Sequence, residues 1–134
     1  MATRVTLHSD SGYAQTITGR KHTWHADEPP ALNGTDAGPA PYELLLSSLG
    51  ACTAITLRMY AERKGWELGE IDIALRFSRS EDGVEAIHRD IHCTAALSEE
   101  QRQRLLEIAG KTPVTKTLAQ GTAIDSSWAE TSVE

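Results

Sequence analysis

The chain has no run of basic residues and nowhere interleaves basic residues with aromatics. Its 13 Lys and Arg are outnumbered by 19 Asp and Glu, which leaves a net charge of −6 and a pI near 5.3. Nucleic acids and anionic membranes both need a basic patch, so neither is expected as a partner. Cysteine is scarce. Cys52 and Cys93 lie far apart, in neither a CxxC nor a zinc-ligand spacing, and suit free thiols in a reducing cytoplasm. The opening MATRVTLHSD lacks the apolar core of a signal peptide, so none is expected. The longest apolar-rich stretch, Leu44–Tyr60, is interrupted by Ser47, Ser48, Thr53, Thr56 and Arg58, and reads as too polar and too short to span a bilayer. GxSxG, P-loop and GxGxxG motifs are missing, as are internal repeats and low-complexity segments.

What is present describes an ordinary globular chain. Its 134 residues suit a single domain, and 40% hydrophobic with 24% charged residues are usual values. Arg4–Leu7 and Ala14–Thr18 read as a hairpin across Ser9–Gly12, with His22–Ala26 as a third strand. Residues 27–41 hold four of the five prolines and form a long loop of the kind that often serves function. A helix is expected from Pro41 to Lys64, with Glu43 at its positive end and Gly65 closing it. It is apolar or small on nearly every face from Leu44 to Leu57, which implies burial on all sides, by a sheet and by a second subunit. Glu70–Ser78 and Val84–Leu97 read as strands, with Ile87, Ile91, Cys93 and Ala95 facing inward. A capping box at Ser98-Glu99-Glu100-Gln101 starts a second helix, and Thr112-Pro113 opens a short third one through Leu118. Residues 121–126 read as a last strand, and 129–134 as a frayed tail. The fold class is α+β, with antiparallel strands and helices on one face.

Few residues offer chemistry. Cys52 shares its helix face with Ser48 and Thr56, whose hydroxyls could bond a thiolate or return to helix carbonyls. Gly50 permits close approach of another group. The helix dipole fades long before Cys52, so an activated thiol there needs a cation from elsewhere in the fold. Local chemistry by itself favours a core thiol. Cys93, with no charge expected beside it on its face, also reads as core. The histidines make no metal site. His22 and His25 are three apart and His88 and His92 four apart on strands, and four residues along a strand is about 13 Å. Glu43 suffices as a dipole-stabilising acid, and could otherwise orient a guanidinium.

The segment GPAPYELLLSSLGACTAITLRMYAERKGWEL (38–68) resembles the cysteine-bearing segment of the OsmC/Ohr family of osmotically inducible and organic-hydroperoxide-resistance proteins. HTWHADEP before it and LSEEQRQRLLEIAGKTPVTKTL after it extend the resemblance over about His22 to Leu118. The resemblance implies an intertwined homodimer with long central helices and a site at the interface. It also implies a peroxidase with Cys52 as the thiolate that attacks a hydroperoxide. Thr112 stands where the family has a second, resolving cysteine, and Thr115 where a sub-branch has histidine. Glu43 matches the supporting glutamate approximately, and Arg20 is the nearest candidate for the supporting arginine. The expected activity is therefore a one-cysteine organic hydroperoxide reductase of weakened or altered activity. It would need no cofactor beyond an external thiol or dithiol, and no metal. The alternative is a non-redox dimer that binds a small apolar ligand in the interface cleft. Cys93 is a further candidate for the resolving thiol.

Overall fold

The computed structural model describes residues 2–133. It is α+β, built from two small antiparallel sheets and three α-helices. The chain divides into two compact units, residues 1–45 with 124–134, and residues 46–123.

The first unit is a three-stranded meander of β1 (Thr6–His8), β2 (Gln15–Gly19) and β3 (His22–Ala26). β2 and β3 join through a tight turn closed by the pair Gly19↔His22, with Arg20 in the left-handed region at φ 52°. The proline-rich loop that follows is organised by one side chain. Asp27 is 2% exposed, and its carboxylate accepts from the amides of Glu28, Thr35 and Ala37 at 2.7, 3.2 and 3.0 Å. It also accepts from the Thr35 hydroxyl at 2.6 Å. Four donors favour the ionised form, and they hold the Asp27 carboxyl down at about 2. Gly34 fits because a side chain there would collide with the Glu28 carbonyl. The residues around Asp27 thus give this loop a fixed path to the start of the long helix.

That helix, α1, spans Pro41–Lys64 as the sequence predicts. Its buried residues are Leu49, Thr53, Leu57 and Ala61, one stripe at i, i+4 spacing. Burial on all sides is therefore not what the single chain shows, since Ile55 and Met59 are each more than half exposed. By length and composition alone α1 is long and apolar enough to cross a membrane, against the expectation that it is too polar and too short, although a core helix meets the same criteria. The leucines and alanines of α1 outweigh its hydroxyls.

In the second unit, β4 (Ile71–Arg79) and β5 (Glu85–Cys93) pair over nine residues. The half-buried face alternates as predicted and carries Ile71, Ile73, Leu75 and Phe77 opposite Cys93, Ile91, Arg89 and Ile87. The turn between them is tied by Ser80, whose amide donates to the Val84 carbonyl and whose hydroxyl accepts from the Val84 amide. β5 ends four residues earlier than predicted. Gly69 takes the left-handed region at φ 72° and the Thr94 hydroxyl takes the Glu70 amide, so the regular ladder gives way to isolated bonds from the Thr94 and Ala95 amides to the Glu70 and Leu68 carbonyls. α1 lies close on this sheet at Gly50, where an added Cβ would stand 2.9 Å from Leu75 Cδ1. α2 (Glu99–Ala109) starts with the predicted capping box at Ser98 and Gln101. α3 (Pro113–Gln120) starts with Thr112 as its cap. Leu57, Ala61, Leu68 and Leu105 form the core, with Ile71, Ile91, Cys93 and Ile108 packed around it.

Residues 121–126 carry no strand, contrary to the sequence reading. A strand needs a ladder, and among the described residues none pairs with this segment; Ile124 is 88% exposed. The tail is not wholly free, because Arg4 Nη2 donates to the Val133 carbonyl at 3.0 Å. Glu134, the last residue of the predicted frayed tail, lies outside the described residues.

Leu57 is fully buried, so Leu57→Ala is expected to cost about 2–5 kcal/mol in denaturant unfolding. Because the carboxyl of Asp27 is held below its unfolded value, its stabilisation is complete above about pH 4 and is lost as the pH falls toward 2. Thermal melts across that range should show the native chain losing stability more steeply than Asp27→Asn, which starts lower and carries no proton to gain.

Candidate active site

β5 alternates between its two faces, and its inward set contains an arginine. Arg89 sits between Ile87 and Ile91 on the half-buried face, opposite Leu75. A guanidinium there must find partners, and it finds them on three other elements. Nη1 donates to Thr53 Oγ1 on α1 at 2.8 Å and to Thr115 Oγ1 on α3 at 2.9 Å. Nη2 donates to the Ala109 carbonyl at the end of α2 at 2.8 Å, where the helix dipole favours a cation.

The hydroxyl protons can be assigned by counting. Thr53 Oγ1 donates to the Leu49 carbonyl one turn back at 2.7 Å, which leaves its lone pairs for Arg89. Thr115 Oγ1 donates to the Ala109 carbonyl at 3.1 Å. Its single proton is then used, so in the 2.6 Å contact between Thr112 and Thr115 the Thr112 hydroxyl is the donor. Thr112 and Thr53 are both fully buried, and no buried side-chain polar atom among the described residues lacks a partner.

Cys52 precedes Thr53 on α1, is partly exposed, and is free. Burial presses the Arg89 guanidinium below the ordinary arginine range, and the neighbouring Cys52 sulfur opposes that shift. Arg89, bonded to the residue that follows Cys52 on α1, is thus a cation whose charge the Cys52 sulfur feels. Arg20, the candidate from sequence, stands in the β2–β3 turn of the other unit. Glu43 Oε1 accepts from the Ala40 amide at 2.9 Å and so helps to close the start of α1. Thr112 and Thr115, picked out in the sequence, belong to the Arg89 network. Thr53 and Arg89 were missed. Their signals were a hydroxyl inside an apolar i, i+4 row and an arginine at an even step from Ile87 and Ile91.

Cys93 differs from expectation in one respect. Arg89 shares its strand face, and Arg58 also acts on it electrostatically. Burial nonetheless dominates and pushes the Cys93 thiol up, with Arg58 opposing. Cys93 packs against the core and lines a cavity of about 290 Å³ with Ile91, Leu97 and Leu105. It lies four residues from Arg89 along β5, about 13 Å at strand spacing. Both cysteines are free thiols.

These features define an α+β thiol protein with a cysteine on a long helix and a cation on the facing sheet. Residues 34–127 match the model of the OsmC-like protein family, and the chain belongs to that family. It is similar to the OsmC-like protein of Mycoplasma pneumoniae, at 22% identity over 89% of this chain and 88% of that one, with a TM-score of 0.71. It is similar to an organic hydroperoxide resistance protein OsmC of Legionella pneumophila, at 18% identity over 88% and 89%, with a TM-score of 0.67. It is also similar to the organic hydroperoxide resistance protein OhrB of Bacillus subtilis, at 24% identity over 87% and 90%, with a TM-score of 0.60. No curated protein matches the chain in sequence.

A raised thiol pKa means less thiolate at a given pH. Cys93 is therefore expected to react with iodoacetamide at pH 8 more slowly in the native chain than in urea, as read by peptide mapping.

Proposed function

We propose that this chain is a one-cysteine peroxidase that reduces organic hydroperoxides in oxidative-stress defence. The observation that carries this reading is the partly exposed Cys52 next along α1 to Thr53, which holds a guanidinium anchored at three acceptors. The nucleophile in such chemistry is a thiolate, and the guanidinium offers hydrogen-bond donors to an incoming oxygen. Family membership and the hydroperoxide-resistance proteins among its structural relatives support the same direction.

In the proposed reaction the Cys52 thiolate attacks the distal peroxide oxygen. An S–O bond forms as the O–O bond breaks, and the departing alkoxide takes a proton and leaves as an alcohol. The sulfur is oxidised to a sulfenic acid and the peroxide is reduced. Arg89 has five N–H groups; three are engaged, and Nε–H and one Nη2–H have no partner among the described residues. They are suited to the developing negative charge on oxygen. By the family resemblance Thr112 stands where a second thiol would be and cannot form a disulfide, and Cys93 packs against the core. Recycling therefore uses an external thiol. One thiol converts the sulfenic acid to a mixed disulfide and water, and a second releases Cys52 and takes the disulfide away.

We further read the working unit as a cytoplasmic homodimer. The exposed Ile55 and Met59 on α1 supply an apolar face for a second copy.

Intact-mass measurement after one equivalent of cumene hydroperoxide tests the activity. The native chain should gain one oxygen atom, lost again on adding thiol, and Cys52→Ser should gain none. Arg89→Gln should slow the oxidation on the order of 100-fold. An unmodified native chain with undiminished peroxide would end this reading.

A further inference from the structure

We infer that Thr115 is a positioning residue for Cys52: its hydroxyl fixes the plane of the Arg89 guanidinium and so lets the start of α3 set the reactivity of a thiol on α1. The inference rests on the reading of Cys52 as the reactive group, and the link to it is the 2.8 Å bond from Arg89 Nη1 to Thr53, the residue that follows Cys52 on α1.

A guanidinium at the end of a long side chain is aimed only where both ends of its fork are held. In Arg89, Nη2 is held by the Ala109 carbonyl and Nη1 by two hydroxyls, Thr53 and Thr115. The two hydroxyls are not equivalent. Thr53 is fully buried in the α1 stripe, where its proton serves Leu49. Thr115 is tied to the same Ala109 carbonyl that receives Nη2, and to Thr112. It therefore closes a ring made of Arg89 Nη1, Thr115 Oγ1, the Ala109 carbonyl and Arg89 Nη2.

That ring prevents rotation of the fork about its long axis. With a methyl in place of the Thr115 hydroxyl, Nη1 keeps one acceptor, the Ala109 carbonyl loses a donor, and the cation faces an apolar group. The guanidinium then gains a route toward water and away from Cys52. Thr112 acts behind Thr115. It is fully buried, caps α3, and directs its own proton to Thr115 Oγ1, which keeps that oxygen turned as an acceptor toward Arg89. The residue in the second-thiol position thus supports the cation.

Alkylation of the full-length native chain by iodoacetamide at fixed pH, resolved by peptide mapping, reads Cys52 and Cys93 together. Cys93 packs on the core and bonds to none of the ring atoms, so it reports general loosening. Thr115→Val should lower the Cys52 rate by about fivefold, and Thr115→Ser should restore it to within about twofold of the native chain, with Cys93 constant. Should the valine variant not fold, Thr115→Ala carries the same expectation. An unchanged or faster Cys52, or a Cys93 rate that moves by the same factor, would overturn the inference. A chain that left cumene hydroperoxide untouched would end the peroxidase reading without altering this ratio.

Discussion

The second unit depends on how one half-buried cation is satisfied. Arg89 enters the sheet face among isoleucines, where an unpaired guanidinium would be costly. Its acceptors come from α1, α3 and the end of α2, so solving the burial of one charge fixes three helices against the strand that carries it. One of those acceptors, Thr53, follows Cys52 on α1, the thiol of the proposed chemistry. Structural and chemical demands therefore converge on the same three bonds, and the unit cannot relax one without disturbing the other.

The two cysteines show how environment divides identical side chains. Cys93, at the end of β5, packs on Ile91 and the Leu57 and Leu105 core, and its burial works against ionisation. Cys52 lies one residue from a hydroxyl that holds a guanidinium. Neither is marked by a reactive-cysteine motif in its local sequence. The difference arises only when strand and helix are brought together.

Much of the fold was legible because local signals were strong. β3 and α1 begin and end where the sequence places them, and the Ser98 capping box and the Thr112-Pro113 start of α3 form as read. The misses have physical causes. β5 stops early because a hydroxyl of Thr94 competes for a backbone amide, which no periodicity reports. Residues 121–126 have strand-like composition, but composition supplies no pairing partner. At the site, Cys52, Thr112 and Thr115 stand out through a family resemblance, whereas Arg89 is legible in the strand alternation itself. An inward position carrying a charge is the informative exception to a hydrophobic pattern.

The nine-residue pairing of β4 with β5 has a consequence for how this chain can change over time. Side chains alternate faces at every step, so a shift of one residue in the turn at Ser80–Gly83 would send Arg89 outward and bring His88 or Asp90 into its place. That turn touches neither Cys52 nor the threonines, yet its length decides which charge they meet. Changes to this exposed loop are thereby limited to those that keep the β4–β5 register, and the limit is set by an arginine ten residues from Arg79 along the chain.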